Sequence, residues 1–85
     1  MVTASQPKTM DVLFRNGVIA YVFEDLEGNW GVRFCVRPLR GSIVKELPES
    51  LRGSYPTDDT AIQVIAGHYR TSIRLRQVTP RTVTA

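Results

Sequence analysis

Three stretches of this chain alternate between hydrophobic and polar side chains every second residue, and this alternation predicts three β-strands. The stretches cover residues 10–15, 18–24 and 30–37. Asn16-Gly17 separates the first two, and this dipeptide predicts a two-residue hairpin turn because glycine and asparagine adopt positive φ angles readily. Residues 26–29 predict a four-residue turn before the third stretch. The chain is therefore expected to begin with an antiparallel β-meander.

Both predicted turns have an even number of residues, so one register aligns the large hydrophobic side chains on a single face of the sheet. In that register Val12 faces Tyr21, and Tyr21 faces Phe34. The predicted core face consists of Val12, Phe14, Ile19, Tyr21, Phe23, Val32, Phe34 and Val36, with Trp30 at one end. The second face is predicted to carry Leu13, Val18, Ala20, Val22 and Cys35 together with Asp11, Arg15, Glu24, Arg33 and Arg37.

A C-terminal helix is predicted to begin after Thr57, whose hydroxyl can cap free backbone N–H groups. Its apolar stripe comprises Ile62, Ile65, Ala66, Tyr69 and Ile73, and we expect it to cover the core face. Because the stripe continues to Ile73, the favoured helix ends near residue 74. The alternative is a helix that ends at Gly67 and is followed by a further strand over residues 69–78.

Residues 38–57 contain three prolines and two glycines, which predict short elements rather than one long strand or helix. A brief strand is expected over residues 42–47 and a helical turn over 48–51. Whether the hydrophobic side chains of this segment cover the second sheet face is left open by the sequence. These side chains are Ile43, Val44, Leu47, Leu51 and Tyr55.

The predicted fold class is α+β: a three-stranded antiparallel meander with one C-terminal helix packed on one face, and with a short fourth strand from residues 42–47 or after residue 70 as an alternative. We expect one domain over residues 10–78, a flexible lead over 1–9 and a flexible tail over 79–85. This order of elements resembles HicB-type antitoxins and the arm-type DNA-binding domains of integrases. The resemblance concerns the order of elements alone and implies nothing about individual residues.

Composition narrows the function classes further. The 85 residues suffice for one modest core, and the single cysteine excludes an internal disulfide. The sequence shows neither an apolar run of about 20 residues nor a secretory signal, so we expect a soluble cytoplasmic protein. Net charge is +3, and nine of the eleven basic residues are arginine, a side chain suited to phosphate and carboxylate.

Catalytic, cofactor and metal motifs are not evident in the sequence, and we predict that the protein is not an enzyme. A cysteine nucleophile needs a base beside it, but the predicted register separates Cys35 from His68. A structural zinc site typically needs four Cys or His ligands, more than the chain contains. Asp58 and Asp59 are adjacent, so they point about 100° apart on a helix and are explained by its N-terminus.

The second sheet face is the candidate site, because it combines apolar side chains with arginines. The residues predicted for a partner or nucleic-acid face are Arg15, Val18, Val22, Arg33, Arg37 and Arg40, with a secondary basic strip of Arg70, Arg74 and Arg76. We expect a small non-catalytic interaction domain whose partner is an unidentified protein or a second copy. The alternative is nucleic-acid binding through the arginines of this face and of the C-terminal helix.

Overall fold

Three hairpins and a returning C-terminal strand form the sheet of this chain. The computed structural model describes residues 8–80, and within them it contains one α-helix and five strands in the antiparallel order β4-β3-β2-β1-β5. The elements are β1 (Lys8–Phe14), β2 (Ile19–Glu24), β3 (Trp30–Leu39), β4 (Ser42–Glu46), a 3-10 helix (Glu49–Leu51), α1 (Asp58–His68) and β5 (Ile73–Pro80). The α+β class and the meander are confirmed, and the sheet has more strands than the three or four predicted.

The predicted lead and tail fall largely outside this range. Residues 1–7 and 81–85 lie outside the described residues, β1 begins at Lys8, and β5 ends at Pro80. No helix within residues 8–80 is long and apolar enough to cross a membrane.

The turn between β1 and β2 contains three residues, not the predicted two. The Phe14 backbone N–H donates to the Val18 carbonyl at 2.8 Å, and the Gly17 N–H donates to the Phe14 carbonyl at 3.0 Å. Gly17 has φ +95°, as the last residue of a three-residue loop with a bulge requires. Val12 therefore faces Ala20, not Tyr21 as predicted, so the predicted register is wrong by one residue.

A β-bulge partly corrects the register on the other side of β2. The turn between β2 and β3 also has three residues, since the Asp25 N–H donates to the Asn29 carbonyl and Gly28 has φ +86°. The pairing then shifts between Tyr21 and Val22, which leaves Arg33 as the extra residue. Beyond the bulge, Tyr21 faces Phe34 as predicted.

The core lies between α1 and one face of the sheet. On β2, this is the face that the sequence predicted to be the second face, away from the helix. Within residues 8–80 its buried side chains are Met10, Val12, Phe14, Val18, Ala20, Val22, Trp30, Val32, Cys35, Leu51, Ala61, Ile62 and Ile65. The predicted core positions Val12, Phe14, Val32, Ile62 and Ile65 are confirmed, as is the burial of Trp30. The prediction is wrong for Ile19, Tyr21, Phe23, Phe34 and Val36, because the register shift turns them to the opposite face.

The helix begins as predicted and ends earlier than the favoured prediction. The Thr57 hydroxyl accepts a hydrogen bond from the Thr60 N–H at 3.2 Å. At the other end the Thr71 N–H donates to the Ala66 carbonyl and the Arg70 N–H to the Gly67 carbonyl, the hydrogen-bond pair of a Schellman motif. Arg70 has φ +52°, which directs the chain into β5. The structure therefore shows the alternative prediction, a shorter helix that is followed by a strand.

Arg70 occupies a left-handed position where glycine is normally found. We expect Arg70→Gly to raise the free energy of unfolding by roughly 0.5–1 kcal/mol, because glycine removes the Cβ strain but loses some of this gain to the entropy of the unfolded chain. Urea denaturation measures the change. Arg70→Ala removes the same charge but keeps a Cβ, and it should give no gain; equal stabilisation by alanine would contradict the explanation.

The segment between β3 and α1 packs on the helix side of the sheet. Arg40 and Gly41 both have positive φ, as a type I′ turn requires, and they connect β3 to β4. After β4 the chain crosses to the core, where Leu51 is fully buried. The backbones of Trp30 and Tyr55 exchange two hydrogen bonds of 2.7 and 2.8 Å. The opposite sheet face is therefore left uncovered by the described residues.

Candidate functional site

The sheet face opposite α1 is a candidate binding surface, hereafter the open face, because no element within residues 8–80 packs on it. Strand alternation and pairing place fourteen side chains there. They are Thr9, Asp11, Leu13, Ile19, Tyr21, Phe23, Arg33, Phe34, Val36, Pro38, Ile43, Lys45, Leu75 and Gln77. Eight of these fourteen are aliphatic or aromatic, which is unusual for a surface in contact with water alone.

An aliphatic row crosses four strands at the end of the open face near the first hairpin turn. Val36 pairs with Ile19, Ile19 pairs with Leu13, and Leu13 pairs with Leu75. Leu75 lies on the outer strand β5 and is 60% exposed. The row is thus continuous and partly accessible to a partner.

A second row combines aromatic rings with a cation. The Tyr21 and Phe34 ring centroids are 4.6 Å apart with an interplanar angle of 32°. Lys45 Nζ lies 4.1 Å from the Phe34 centroid. Tyr21 on β2 and Lys45 on β4 approach Phe34 from the two strands that flank β3. The Phe34 ring therefore already has one aromatic and one cationic neighbour.

Positive and negative charges occupy different halves of the open face. Arg33 and Lys45 lie on the β3–β4 half, and Arg33 Cζ is 5.9 Å from the Phe23 ring centroid. Asp11 lies on β1, on the other side of β2. Within the described residues neither Arg33 nor Lys45 forms an ion pair with a carboxylate. These cations are therefore free to bind an anionic group.

Two depressions accompany this division of charge. One of about 530 Å³ is lined by Arg33, Phe34, Lys45, Glu46 and Leu47. The other, of about 190 Å³, is lined by Asp11, Leu13, Ile19, Tyr21, Leu75 and Gln77. The lining of the first contains two cations and one carboxylate, and that of the second is mainly aliphatic with one carboxylate.

The structure does not bring the predicted site residues together on one face. Val18 and Val22 are buried under α1 with 2% and 1% exposure, so their predicted place on a partner-binding face is wrong. The one-residue shift of the first hairpin is the reason. Arg37 also lies on the helix side, where it binds Glu46. Of the predicted face, Arg33 alone is among the fourteen side chains of the open face.

The remaining predicted arginines are dispersed. Arg15 follows β1 in the first hairpin turn, and Arg40 lies in the turn between β3 and β4. In the secondary strip, Arg70 ends the helix, Arg74 is the unpaired residue of a bulge in β5, and Arg76 binds Asp59 at 2.7 Å. These three arginines are exposed, but they have separate structural surroundings.

A polar network joins β3, β4 and the end of α1 on the helix side. Glu46 Oε1 accepts hydrogen bonds of 2.8 Å from Arg37 Nε and from the Tyr69 hydroxyl. The Arg37 guanidinium holds the pKa of Glu46 below its usual value. Burial and the bond to Glu46 raise the pKa of Tyr69. The carboxylate and the phenol are therefore kept ionised and neutral, respectively, at neutral pH.

Cys35 belongs to the same region, on the helix side of the sheet, whereas it was predicted on the face away from the helix. Its side chain is fully buried, and burial raises the pKa of the thiol. The Tyr69 hydroxyl is its polar neighbour, whereas His68 Nδ1 lies 3.1 Å from Ser50 Oγ. The thiol thus lacks an activating base, and this region is interpreted as structural.

The network makes a pH-dependent contribution to stability. Because the folded-state pKa of Glu46 is depressed, its stabilising effect is present above the ordinary value of 4.5 and is lost as pH falls through the folded-state pKa. We expect Glu46→Gln to cost less than about 1 kcal/mol at neutral pH, since the ion pair is partly exposed. The difference from the wild type should shrink below about pH 4. Urea denaturation at several pH values measures it.

Glu27→Gln is the matched control for this prediction, because Glu27 is an exposed residue of the turn between β2 and β3. It should follow the wild-type stability at every pH. A Glu46→Gln penalty that is constant from pH 7 to acid would contradict a role for the ionised carboxylate.

Metal chemistry and known relatives give no further guidance. Among residues 8–80 there is no group of three or more His, Cys, Asp or Glu side chains that could hold a metal ion. Comparisons of the chain with protein families, with characterised proteins and with solved structures give no match.

Proposed function

We propose that this chain is a non-catalytic interaction domain that binds a protein partner through its open face. The observation that carries the proposal is the aliphatic row across four strands, which continues into the half-exposed aromatic side chains of β2 and β3. An antiparallel sheet with one solvated face normally has polar side chains on that face. A hydrophobic one of this extent, bordered by charges, is typical of protein–protein contacts.

The charges of the open face support recognition more than affinity. Covering a largely exposed side chain such as Leu75 or Ile43 contributes roughly 1–2 kcal/mol. Arg33, Lys45 and Asp11 add orientation, because a partner must offer opposite charges at their positions. The open face thus combines hydrophobic attraction, which has no preferred direction, with charge pairing, which orients the partner.

Position-specific photo-crosslinking tests this function. The photoreactive residue p-benzoylphenylalanine is placed at Leu75 on the open face, or at Gln63 on the exposed side of α1, in the full chain expressed in its own host cell. We expect a discrete crosslinked protein from position 75 and none from position 63. No crosslink from position 75, and none from Ile43, would overturn the proposal.

Single-stranded nucleic acid is the second candidate. It is favoured by one observation, the two unpaired cations Arg33 and Lys45 beside the aromatic rings. It is opposed by the contacts that Tyr21 and Lys45 already make with the Phe34 ring, which a stacked base would have to displace, and by Asp11 on the same surface. Protein contact is therefore the better explanation of this geometry.

Fluorescence anisotropy separates the two candidates. A labelled single-stranded oligonucleotide is titrated with the wild-type chain and with the Arg33→Gln/Lys45→Gln double variant at several salt concentrations. We expect no difference between the two chains. Binding that weakens steeply with salt and disappears in the double variant would instead favour nucleic acid.

A further inference from the structure

We propose that the partner of the open face is a second copy of this chain, packed face to face about a two-fold axis that runs along β2. This inference rests on the proposed function and names its partner. Its basis is the way charge, shape and strand order are distributed on either side of β2.

Strand order makes the open face complementary to itself. β2 is the middle strand of the order β4-β3-β2-β1-β5. A two-fold axis along the middle strand lays each β3 over β1 of the other copy, and each β4 over β5. At the height of Asp11 the residue on β3 is Phe34, so the axis lays Phe34 over Asp11 of the second copy. Arg33, the bulge residue just before Phe34, is thereby brought within reach of that carboxylate, twice in the dimer. The positive half of each face meets the half that contains the carboxylate.

The same axis also matches the apolar side chains. Positions along the strands are preserved by the rotation, so Val36 meets Leu13 of the second copy and Ile19 meets its own counterpart. The depression beside Phe34 then receives side chains from the β1–β5 half of the other sheet. The aliphatic row is thereby covered by the equivalent row of the second copy, as in sheets that pack about 10 Å apart.

The area is sufficient for a modest dimer. Five strands spaced about 4.8 Å apart, each contributing five or six residues of about 3.3 Å, give a flat footprint of roughly 450 Å². This footprint is smaller than the ~800 Å² per partner of standard specific interfaces and is in the range of weak ones. We expect a dissociation constant on the order of micromolar, because the interface lies at the small end of that class.

Charge reversal followed by mixing is the decisive experiment. Sedimentation equilibrium is performed on the wild-type chain, on Asp11→Arg, on Arg33→Asp and on an equimolar mixture of the two variants. Each variant alone should dimerise at least about tenfold more weakly, since like charges now face each other. The mixture should recover wild-type association, because the mixed dimer contains two opposite-charge pairs. Arg52→Asp, an exposed residue just after the 3-10 helix, is the control and should associate normally.

The outcomes distinguish this inference from the proposed function. A wild-type chain that stays monomeric to about 1 mM overturns the second-copy partner. Crosslinks from Leu75 to a different protein would then retain the interaction domain, whereas their absence would overturn both proposals. A dimer that neither charge reversal weakens uses another surface, such as the outer edge of β5, and also overturns the inference. Circular dichroism of each variant confirms that the fold is unchanged.

Discussion

Val22→Glu is expected to leave the domain largely unfolded at neutral pH. Val22 is 1% exposed and packs in the core beneath α1. The substitution loses about 1.5–3 kcal/mol of apolar burial and adds the several kcal/mol needed to bury an unpaired carboxylate. Small domains have a total stability of about 5–15 kcal/mol, so most of it would be consumed. Far-ultraviolet circular dichroism and urea denaturation measure the effect.

Ile19→Glu, on the same strand, is the matched control. Ile19 lies on the open face, where a longer side chain can extend into water, so we expect a folded protein that loses no more than about 1.5 kcal/mol. In the register predicted from the sequence the two results would be exchanged, because Ile19 would be buried and Val22 exposed. A folded Val22→Glu beside an unfolded Ile19→Glu would therefore refute the observed register.

The register is the point at which sequence and structure differ most, and the reason is physical. Both sides of β2 are apolar, so alternation identifies the strand but not the face that is buried. The sequence favoured the larger side chains, Tyr21 and Phe23, as core. In the structure the smaller Val18, Ala20 and Val22 on the middle strand face α1, and larger side chains on neighbouring elements fill the core around them.

Turn length, which decides the face, is poorly determined by composition. Asn16-Gly17 suits a two-residue turn, but Gly17 suits the left-handed end of a three-residue loop equally well. Because a loop with an odd number of residues reverses the pleat, this single ambiguity moves a whole strand. The bulge at Arg33, a tertiary feature without a local sequence signal, then restores part of the predicted pairing.

The helix end illustrates a signal that was absent. Ile73 continues the helical spacing, so the apolar pattern does not mark the end of the helix. The left-handed residue of a Schellman motif is usually glycine, but here it is Arg70. The backbone hydrogen bonds from Thr71 and Arg70 end the helix. The N-terminus had a clear signal in Thr57 and was predicted correctly.

The sequence predicted that one sheet face would be a candidate binding surface, but it did not predict which residues form that surface. The sequence indicated that a second, partly apolar sheet face would accompany the core, and residues 8–80 do leave one face uncovered. Tyr21, Phe34 and Lys45 were missed because the register assigned the two aromatics to the core and left Lys45 outside the three-stranded meander. If both glycine-containing turns are assigned three residues, the sequence itself indicates that these side chains lie outside the core.

Leu51→Ala is expected to have the second-largest effect, a loss of about 2–5 kcal/mol in the free energy of unfolding. Leu51 ends the 3-10 helix, where the sequence predicts a helical turn, and it is fully buried in the core. The truncation removes buried methyl groups and leaves a cavity that the surrounding strands fill only partly. Urea denaturation should show a lower midpoint at an unchanged slope.

Leu26→Ala makes the same chemical change at a site that is 91% exposed, and it should alter stability by no more than about 0.5 kcal/mol. The comparison also separates stability from association. Because Leu51 packs on the helix side, the folded fraction of Leu51→Ala should associate through the open face with wild-type affinity. A Leu51→Ala chain of normal stability would show that residues 49–51 do not close the core. One that is folded but no longer associates would show that this segment, not the open face, forms the contact.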